Sequence, residues 1–96
     1  MHATIHRFQG TSDADDDILQ AVNHLAAILS KKAGFVSFAW LDAGDRVGRS
    51  ITIFETQAEL VEAGAMIDAW AGKYLARWLA EPLRCCHGEV IAQMGM

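Results

Sequence analysis

Two groups of side chains in this 96-residue chain have types that could support metal or redox chemistry. Cys85 and Cys86 are adjacent, and a disulfide between them would be strained because neighbouring strand residues point to opposite faces. Without Cys-x-x-Cys spacing, two reduced structural cysteines are favoured over a metal or redox site. Asp13 and the aspartates at 15–17 form an acidic cluster, but carboxylates within one helical turn do not converge on one ion without help from elsewhere. We therefore predict no metal site.

A second set of candidate groups consists of an aromatic stripe and isolated histidines. Trp70, Tyr74 and Trp78 recur every four residues, which places them on one side of a helix, either in the core or on the wall of a pocket. His6 lies in a short predicted strand, where it is either a hydrogen-bonded packing residue or a general base. The residue types alone leave both alternatives open.

The composition restricts the partners. The formal net charge is −4, and no basic cluster is interleaved with aromatic residues, which argues against nucleic acid. No apolar stretch approaches the roughly 20 residues that cross a bilayer, and the first ten residues lack the features of a signal peptide, so we expect a cytoplasmic protein with no membrane partner. The hydrophobic fraction of 52% indicates apolar surface that a partner subunit covers.

The elements that position these groups centre on a predicted β-hairpin at residues 34–56, GFVSFAWLDAGDRVGRSITIFET. Two apolar runs flank a polar break that contains glycine, and each run alternates with period two. A turn centred on Gly44 and Asp45 pairs Phe38 with Ile51 and Val36 with Ile53, so one face is bulky and apolar. We expect that face to be the interface with a second subunit: Val36, Phe38, Trp40, Ile51 and Ile53.

The other face of the hairpin is predicted to carry small side chains with an aromatic residue at each strand's far end: Phe35, Ser37, Ala39, Ser50, Thr52 and Phe54. Because a capped helix follows Phe54 directly, we expect this face to lie under the helices. Small side chains there would leave room for a cavity between sheet and helices.

Before the hairpin, residues 3–8 are predicted to form a short strand. Ser12 is the expected N-cap of the first helix, since the aspartates that follow it suit the positive end of the helix dipole. Gly34 is expected to end this helix. Its apolar stripe has helical spacing: Ile18, Val22, Leu25 and Leu29.

After the hairpin, Thr56 and Glu59 form a capping box that begins a long second helix, which is expected to end near Ala80, before Pro82. Residues 85–93 are predicted to form the last strand. The order strand, helix, strand, strand, helix, strand predicts an α+β fold of ferredoxin-like βαββαβ type in one domain at 1–96. Right-handed crossovers place both helices on one face of a four-stranded antiparallel sheet.

Several landmarks together resemble the antibiotic biosynthesis monooxygenase-like family of dimeric α/β-barrel proteins. They are GFVSF before a turn, ITIFET before a capped helix that ends in YLARWL, and a last strand GEVIAQ. The resemblance implies a homodimer whose sheets face each other in a barrel, with a pocket between sheet and helices in each subunit. It implies no particular reaction, because a fold does not transfer chemistry.

One chemistry of the family is disfavoured by this sequence. The haem-degrading members have an Asn on the first strand, then a Trp and a His on the second helix. Counting from the shared landmarks, those places hold roughly Arg7, Ala63 and Lys73, and the predicted second helix contains no His. We therefore expect haem to bind weakly and not to be degraded.

Two function classes remain open. The resemblance implies either a cofactor-independent monooxygenase acting on an aromatic or hydrophobic small molecule, or a non-catalytic dimeric module that binds a small ligand or accompanies another enzyme. The first needs a base or hydrogen-bond donors among aromatic walls, but no metal or other cofactor. The expected pocket residues are His6, Arg7, Phe35, Thr52, Phe54, Trp70 and Tyr74.

Overall fold

A computed structural model describes residues 1–91 of the chain. The elements are β1 (His2–Gln9), α1 (Asp16–Ser30), β2 (Phe35–Asp42), β3 (Val47–Phe54), α2 (Gln57–Tyr74) and β4 (Arg84–Glu89). The strands form one antiparallel sheet in the order β2-β3-β1-β4. The predicted ferredoxin-like α+β fold is confirmed. The end of the predicted last strand, residues 92–93, lies outside the described residues.

Both helices start at side-chain caps. Asp15 caps α1 and accepts a hydrogen bond from the Ile18 amide at 3.0 Å, so the helix begins later than the Ser12 cap predicted. An aspartate serves this position as well as a serine does. The predicted capping box of α2 is confirmed, since the Thr56 hydroxyl accepts from the Glu59 amide at 3.2 Å and donates to its carboxylate at 2.9 Å.

The second helix ends at Tyr74, several residues before the predicted end. Beyond it, turns carry Trp78 onto β1, where its indole packs against the backbone of Gly10 and donates a hydrogen bond to the Ser12 carbonyl at 2.8 Å. A bridge between Gly10 and Leu79 holds the same contact. A continuous helix would carry Trp78 away from β1, so this anchor accounts for the early end of α2.

The core lies between the helices and one face of the sheet. Phe8, Phe54, Leu25, Leu29 and Ile67 are almost completely buried there. Each buried aliphatic or aromatic side chain of this size stabilises the fold by roughly 1.5–3 kcal/mol relative to an exposed one. The core therefore holds β1, β3 and both helices together as one unit.

The assignment of Phe38 and Trp40 to the outer face is wrong. Phe38 lies opposite Thr52 and Trp40 opposite Ser50, and both aromatic side chains pack against the core under the helices. Ile51 and Ile53 do lie on the outer face, where Ala39 and Ser37 are their partners on β2. Small and large residues of β2 have thus exchanged faces relative to the prediction.

The turn explains this exchange. Its residues Gly44, Asp45 and Arg46 all have positive φ, so the loop is one residue longer than a turn centred on Gly44 and Asp45. A shift of one residue moves every side chain of a strand to the other face. A β-bulge at Val36 then takes up the extra residue, so Phe35 lies opposite Phe54 as predicted.

Candidate functional site

A cavity of about 450 Å³ lies between α2 and the strands β1 and β4. Its floor comes from residues of β1 that alternate along the strand and face the helices: His2, Thr4 and His6. Alternate residues of β4 form a side wall: Cys85, His87 and Glu89. The roof is one side of α2: Gln57, Leu60, Val61, Gly64, Ala65 and Asp68.

The cavity exists because α2 does not extend over the whole sheet. Within residues 1–91, α2 packs on β1 and β3 and leaves β4 uncovered. Gly64 and Ala65 keep the cavity side of the helix thin, and apart from the adjoining backbone of α2 no atom in the described part of the chain lies within 4 Å of where a Cβ on Gly64 would be. A small ligand of mixed apolar and polar character would fit this space.

His6 is the buried ionisable residue of this cavity. It is 2% exposed, and its Nδ1 atom has no hydrogen-bond partner among residues 1–91. Its Nε2 atom lies 3.8 Å from Oδ1 of Asp68. Burial lowers the pKa of His6 below its ordinary value of 6.5, and the negative charge of Asp68 opposes this in part. The imidazole is therefore neutral at pH 7 and able to accept a proton.

Polar residues continue across the sheet on both sides of β1. His6 lies opposite Ser50 on β3 and opposite Cys85 on β4, which places all three on the helix-facing side. The buried hydroxyls of Ser50 and Thr52 also have no hydrogen-bond partner within the part of the chain that the structure describes. Buried polar atoms are normally satisfied, so an unsatisfied cluster beside a cavity is a sign of water or ligand binding.

The structure separates the residues that the sequence placed in one pocket. His6 alone among them lines the cavity under α2. Arg7 points to the outer face of the sheet, where it forms an ion pair with the Glu81 carboxylate at 2.9 Å. Phe35 and Phe54 pack edge to face at 5.8 Å, and Phe54 lines a different cavity of about 300 Å³ between α2 and the loop that follows α1.

The cavity expected between Trp70, Tyr74 and the sheet is not formed within residues 1–91. Trp70 is buried against Phe8, and Thr52 is completely buried, so the core fills that space. Tyr74 is 49% exposed and borders a shallow surface depression with Arg77. The expected position was wrong because Phe38 and Trp40, rather than small residues, face the helices there.

Of the polar cavity residues that the sequence analysis did not identify, three had a pattern that could have revealed them. Cys85 and His87 alternate along a strand, so they share a face. Asp68 follows Leu60 and Gly64 at intervals of four, which places it on the same side of α2. Neither pattern shows that α2 leaves β4 uncovered, so the location of the cavity needed the structure.

Taken over residues 1–91, no helix is both long and apolar enough to cross a membrane. The same stretch contains no cluster of three or more His, Cys, Asp or Glu side chains arranged to hold a metal ion.

Solved structures share this fold over nearly the whole chain. A putative antibiotic biosynthesis monooxygenase from Nitrosomonas europaea superposes with a TM-score of 0.80 at 18% identity, covering 96% of this chain and 100% of that chain. A variant of SnoaB, a cofactor-independent oxygenase from Streptomyces nogalater, gives 0.77 at 15% identity, with 99% and 97% covered. A monooxygenase from Streptomyces coelicolor, solved with the ligand nanaomycin D, gives 0.75 at 10% identity, with 99% and 91% covered.

No protein-family model matches the sequence, and no curated protein matches it. Sequence identities of this size establish the fold alone. The resemblance inferred from the sequence is therefore confirmed at the level of architecture: this chain has the ferredoxin-like α+β fold of the antibiotic biosynthesis monooxygenases.

Proposed function

We propose that the cavity under α2 binds a phenolic or enolic aromatic molecule, and that the protein is a cofactor-independent monooxygenase in which His6 is the general base. The observation that supports this most directly is the buried, neutral imidazole of His6, whose Nδ1 atom lacks a partner within residues 1–91. An unprotonated base in a substrate-sized cavity is what proton abstraction requires.

The reaction needs only this base and dioxygen. His6 takes the proton of the bound phenol or enol, and the resulting anion forms a carbon–oxygen bond with dioxygen. The peroxide oxygen then takes a proton back from the imidazolium. Loss of water from the hydroperoxide leaves a quinone, so the atoms and electrons balance without a further oxidant or reductant.

Asp68 lies where it can stabilise the charged intermediate state of His6. At 3.8 Å from the Nε2 atom of His6, its carboxylate is beyond a direct hydrogen bond. Catalytic contacts often shorten when a substrate is bound. Leu60 and Val61 supply apolar contact from α2, and the volume of about 450 Å³ falls in the range of small-molecule sites.

Structural relatives support the reaction type. SnoaB is described as a cofactor-independent oxygenase, and the Streptomyces coelicolor monooxygenase was solved with nanaomycin D bound. The shared fold makes an aromatic ligand and oxygenation without a cofactor the first chemistry to test here. The alternative, a non-catalytic ligand-binding module, uses the same cavity and predicts binding without turnover.

Anthrone in air is the test substrate, with oxygen uptake and anthraquinone absorbance as readouts. We expect turnover by the wild type and a loss of about a hundredfold or more in His6→Gln. His24→Gln is the matched control, because His24 is an exposed histidine of α1 outside the cavity. Tryptophan fluorescence quenching by anthrone under argon measures binding separately.

Two outcomes would contradict the oxygenase. Binding without oxygen uptake would favour the ligand-binding module. Full activity of a folded His6→Gln variant would remove His6 from the reaction.

We also propose that the protein is a homodimer formed through the outer face of the sheet. Ile5 lies opposite Ile51 on that face, and Ala3 opposite Ile53. Ile5 and Leu41, which both lie on this side, are 41% and 49% exposed. Exposed aliphatic side chains that share one face of a sheet are typical of a subunit interface.

A further inference from the structure

We infer that Cys85 is a nucleophile that adds covalently to conjugated carbonyl compounds, such as quinones, bound in the cavity under α2. The inference rests on the proposed function in one respect, the entry of an aromatic ligand into this cavity, and needs no oxygenation. It assigns a second chemistry to the imidazole of His6, which takes the proton of the thiol.

The cross-strand register brings the two groups together. Cys85 on β4 lies directly opposite His6 on β1, and both line the cavity. Directly opposite residues of antiparallel strands have Cβ atoms about 4.5–5.5 Å apart, which is within reach of a sulfur and an imidazole nitrogen. Cys85 is a free, exposed cysteine, so a ligand can reach its sulfur.

The state of His6 is a second and independent observation. Its side chain is only 2% exposed, and Nδ1 has no hydrogen-bond partner among the described residues. A thiol reacts as the thiolate, and a neighbouring unprotonated imidazole is the usual means of producing it. Asp68, on the Nε2 side, is placed to stabilise the imidazolium that forms.

The addition balances without an oxidant or a leaving group. His6 accepts the thiol proton, and the sulfur lone pair forms a C–S bond to the carbon conjugated with the carbonyl. The π electrons of the carbon–carbon double bond move toward the carbonyl oxygen, which takes the proton from His6. With a quinone, the proton on the sulfur-bearing carbon then moves to the second carbonyl oxygen, and the product is a thioether-substituted hydroquinone attached to Cys85.

The neighbouring cysteine provides a matched control. Cys86 is one residue away, lies opposite Ile5, and therefore faces the outer side of the sheet, away from His6. Both cysteines are exposed and free in the described chain. Because the proposed dimer would cover Cys86, the reaction rates of the two cysteines are compared in the Ile5→Asp variant, which is expected to be a folded monomer.

The experiment uses naphthoquinone under argon, with intact-mass and peptide mass spectrometry to locate the adduct and stopped-flow absorbance to measure its rate. We expect one rapid adduct, on Cys85, in the wild type and in Cys86→Ser. In Cys85→Ser the rapid phase should disappear, leaving a rate about tenfold or more lower. In urea the two cysteines should react at the same rate.

The role of His6 is tested with His6→Gln, and His24→Gln is the control. We expect the Cys85 rate near pH 7 to fall about tenfold or more in His6→Gln and its pH profile to move to the ordinary thiol ionisation near pH 8.5. His24→Gln should keep the wild-type profile. If His6→Gln does not fold, the wild-type pH profile decides, since a rate that rises only near pH 8.5 contradicts assistance by His6.

Equal rates for Cys85, Cys86 and free glutathione would overturn the inference. Because quinone is supplied and oxygen is excluded, the outcome is separable from that of the oxygenase test. A rapid Cys85 adduct without anthrone oxidation would keep this inference and reject the oxygenase. Anthrone oxidation without a rapid adduct would support the oxygenase and reject this inference.

Discussion

The imidazole of His6 and the carboxylate of Asp68 approach each other to 3.8 Å, although one is buried and the other is 66% exposed. They lie on different elements, β1 and α2. Two opposing effects act on the pKa of the imidazole. Burial of the ring lowers the pKa of His6, whereas the aspartate charge raises it, and burial is the larger effect. The balance between them sets the pH range in which His6 can act as a base.

The stability of the protein should depend on pH through His6. Its pKa in the folded state is below 6.5, so the unfolded chain binds the proton at higher pH. The contribution of His6 is fully present above about pH 6.5 and is lost as the pH falls toward the folded pKa. Urea unfolding of wild type and His6→Gln between about pH 5 and 8 measures the difference. Parallel curves for the two proteins would contradict the prediction.

Asp68→Asn should lower the pKa of His6 further, because it removes the charge that raises it. The imidazole proton resonances, followed by NMR against pH, give the titration directly. Glu62→Gln is the matched control, since it removes the same charge from another exposed position of α2. A His6 titration that is the same in Asp68→Asn and in the wild type would show that the carboxylate does not act on the ring.

Gly64→Leu should block the cavity. Apart from the adjoining backbone of α2, a Cβ at Gly64 meets no atom of residues 1–91 within 4 Å, and the position borders the cavity. Gly72→Leu is the control on the same helix, where the Cβ position is equally free but lies outside this cavity. Each change should raise helix stability by up to about 1 kcal/mol. Anthrone binding, measured by fluorescence quenching, should be lost in Gly64→Leu and kept in Gly72→Leu. Anthrone binding to Gly64→Leu would mean that the binding site lies elsewhere.

Gly48→Ala should destabilise the fold by about 1–3 kcal/mol, because the new methyl group would overlap the Trp40 indole on the neighbouring strand. Gly88→Ala is the control, a strand glycine whose Cβ position has no neighbour within 4 Å in the described chain. Thermal unfolding of both variants is the measurement. A neutral Gly48→Ala would mean that Trp40 does not lie under the helices.

Ile5→Asp should give a folded monomer. The side chain is 41% exposed on the outer face, so the charge disrupts a subunit contact more than it disrupts the core. Leu19→Asp, at an exposed position of α1, should leave the assembly unchanged. Sedimentation velocity separates the two species, and a wild type that sediments as a monomer would reject the dimer. Phe38→Asp is not a test of assembly, because Phe38 packs against the core.

Sequence patterns predicted the element order, the α2 cap and the helix-facing side of β3, because each of these depends on residues that are close together in the sequence. Thr56 and Glu59 interact within one turn, and alternation along β3 places Ser50 and Thr52 correctly. The faces of β2 were not predictable in this way. They depend on Asp45 and Arg46 adopting positive φ, which non-glycine residues seldom do, and on the compensating bulge at Val36.

The candidate site was predicted only in part, for a related reason. His6 was identified because the expected pocket needs a base, and a histidine on the first strand can supply one. Its partners Asp68 and Cys85 come from elements distant in sequence, and which elements meet depends on how far α2 extends across the sheet. Tyr74 and Trp70 had the residue types of a pocket, but the packing of Phe38 and Trp40 removed the space between them and the sheet.

The side wall of the cavity, β4, is an edge strand of the sheet, and among the described strands it pairs only with β1. Every residue of β4 is exposed, so the strand is held in place mainly by its main-chain ladder. A ligand could enter by breaking a few of the hydrogen bonds between β4 and β1, while the core under the helices stays folded. The lifetime of a bound molecule and the melting temperature of the protein would then respond to different parts of the chain.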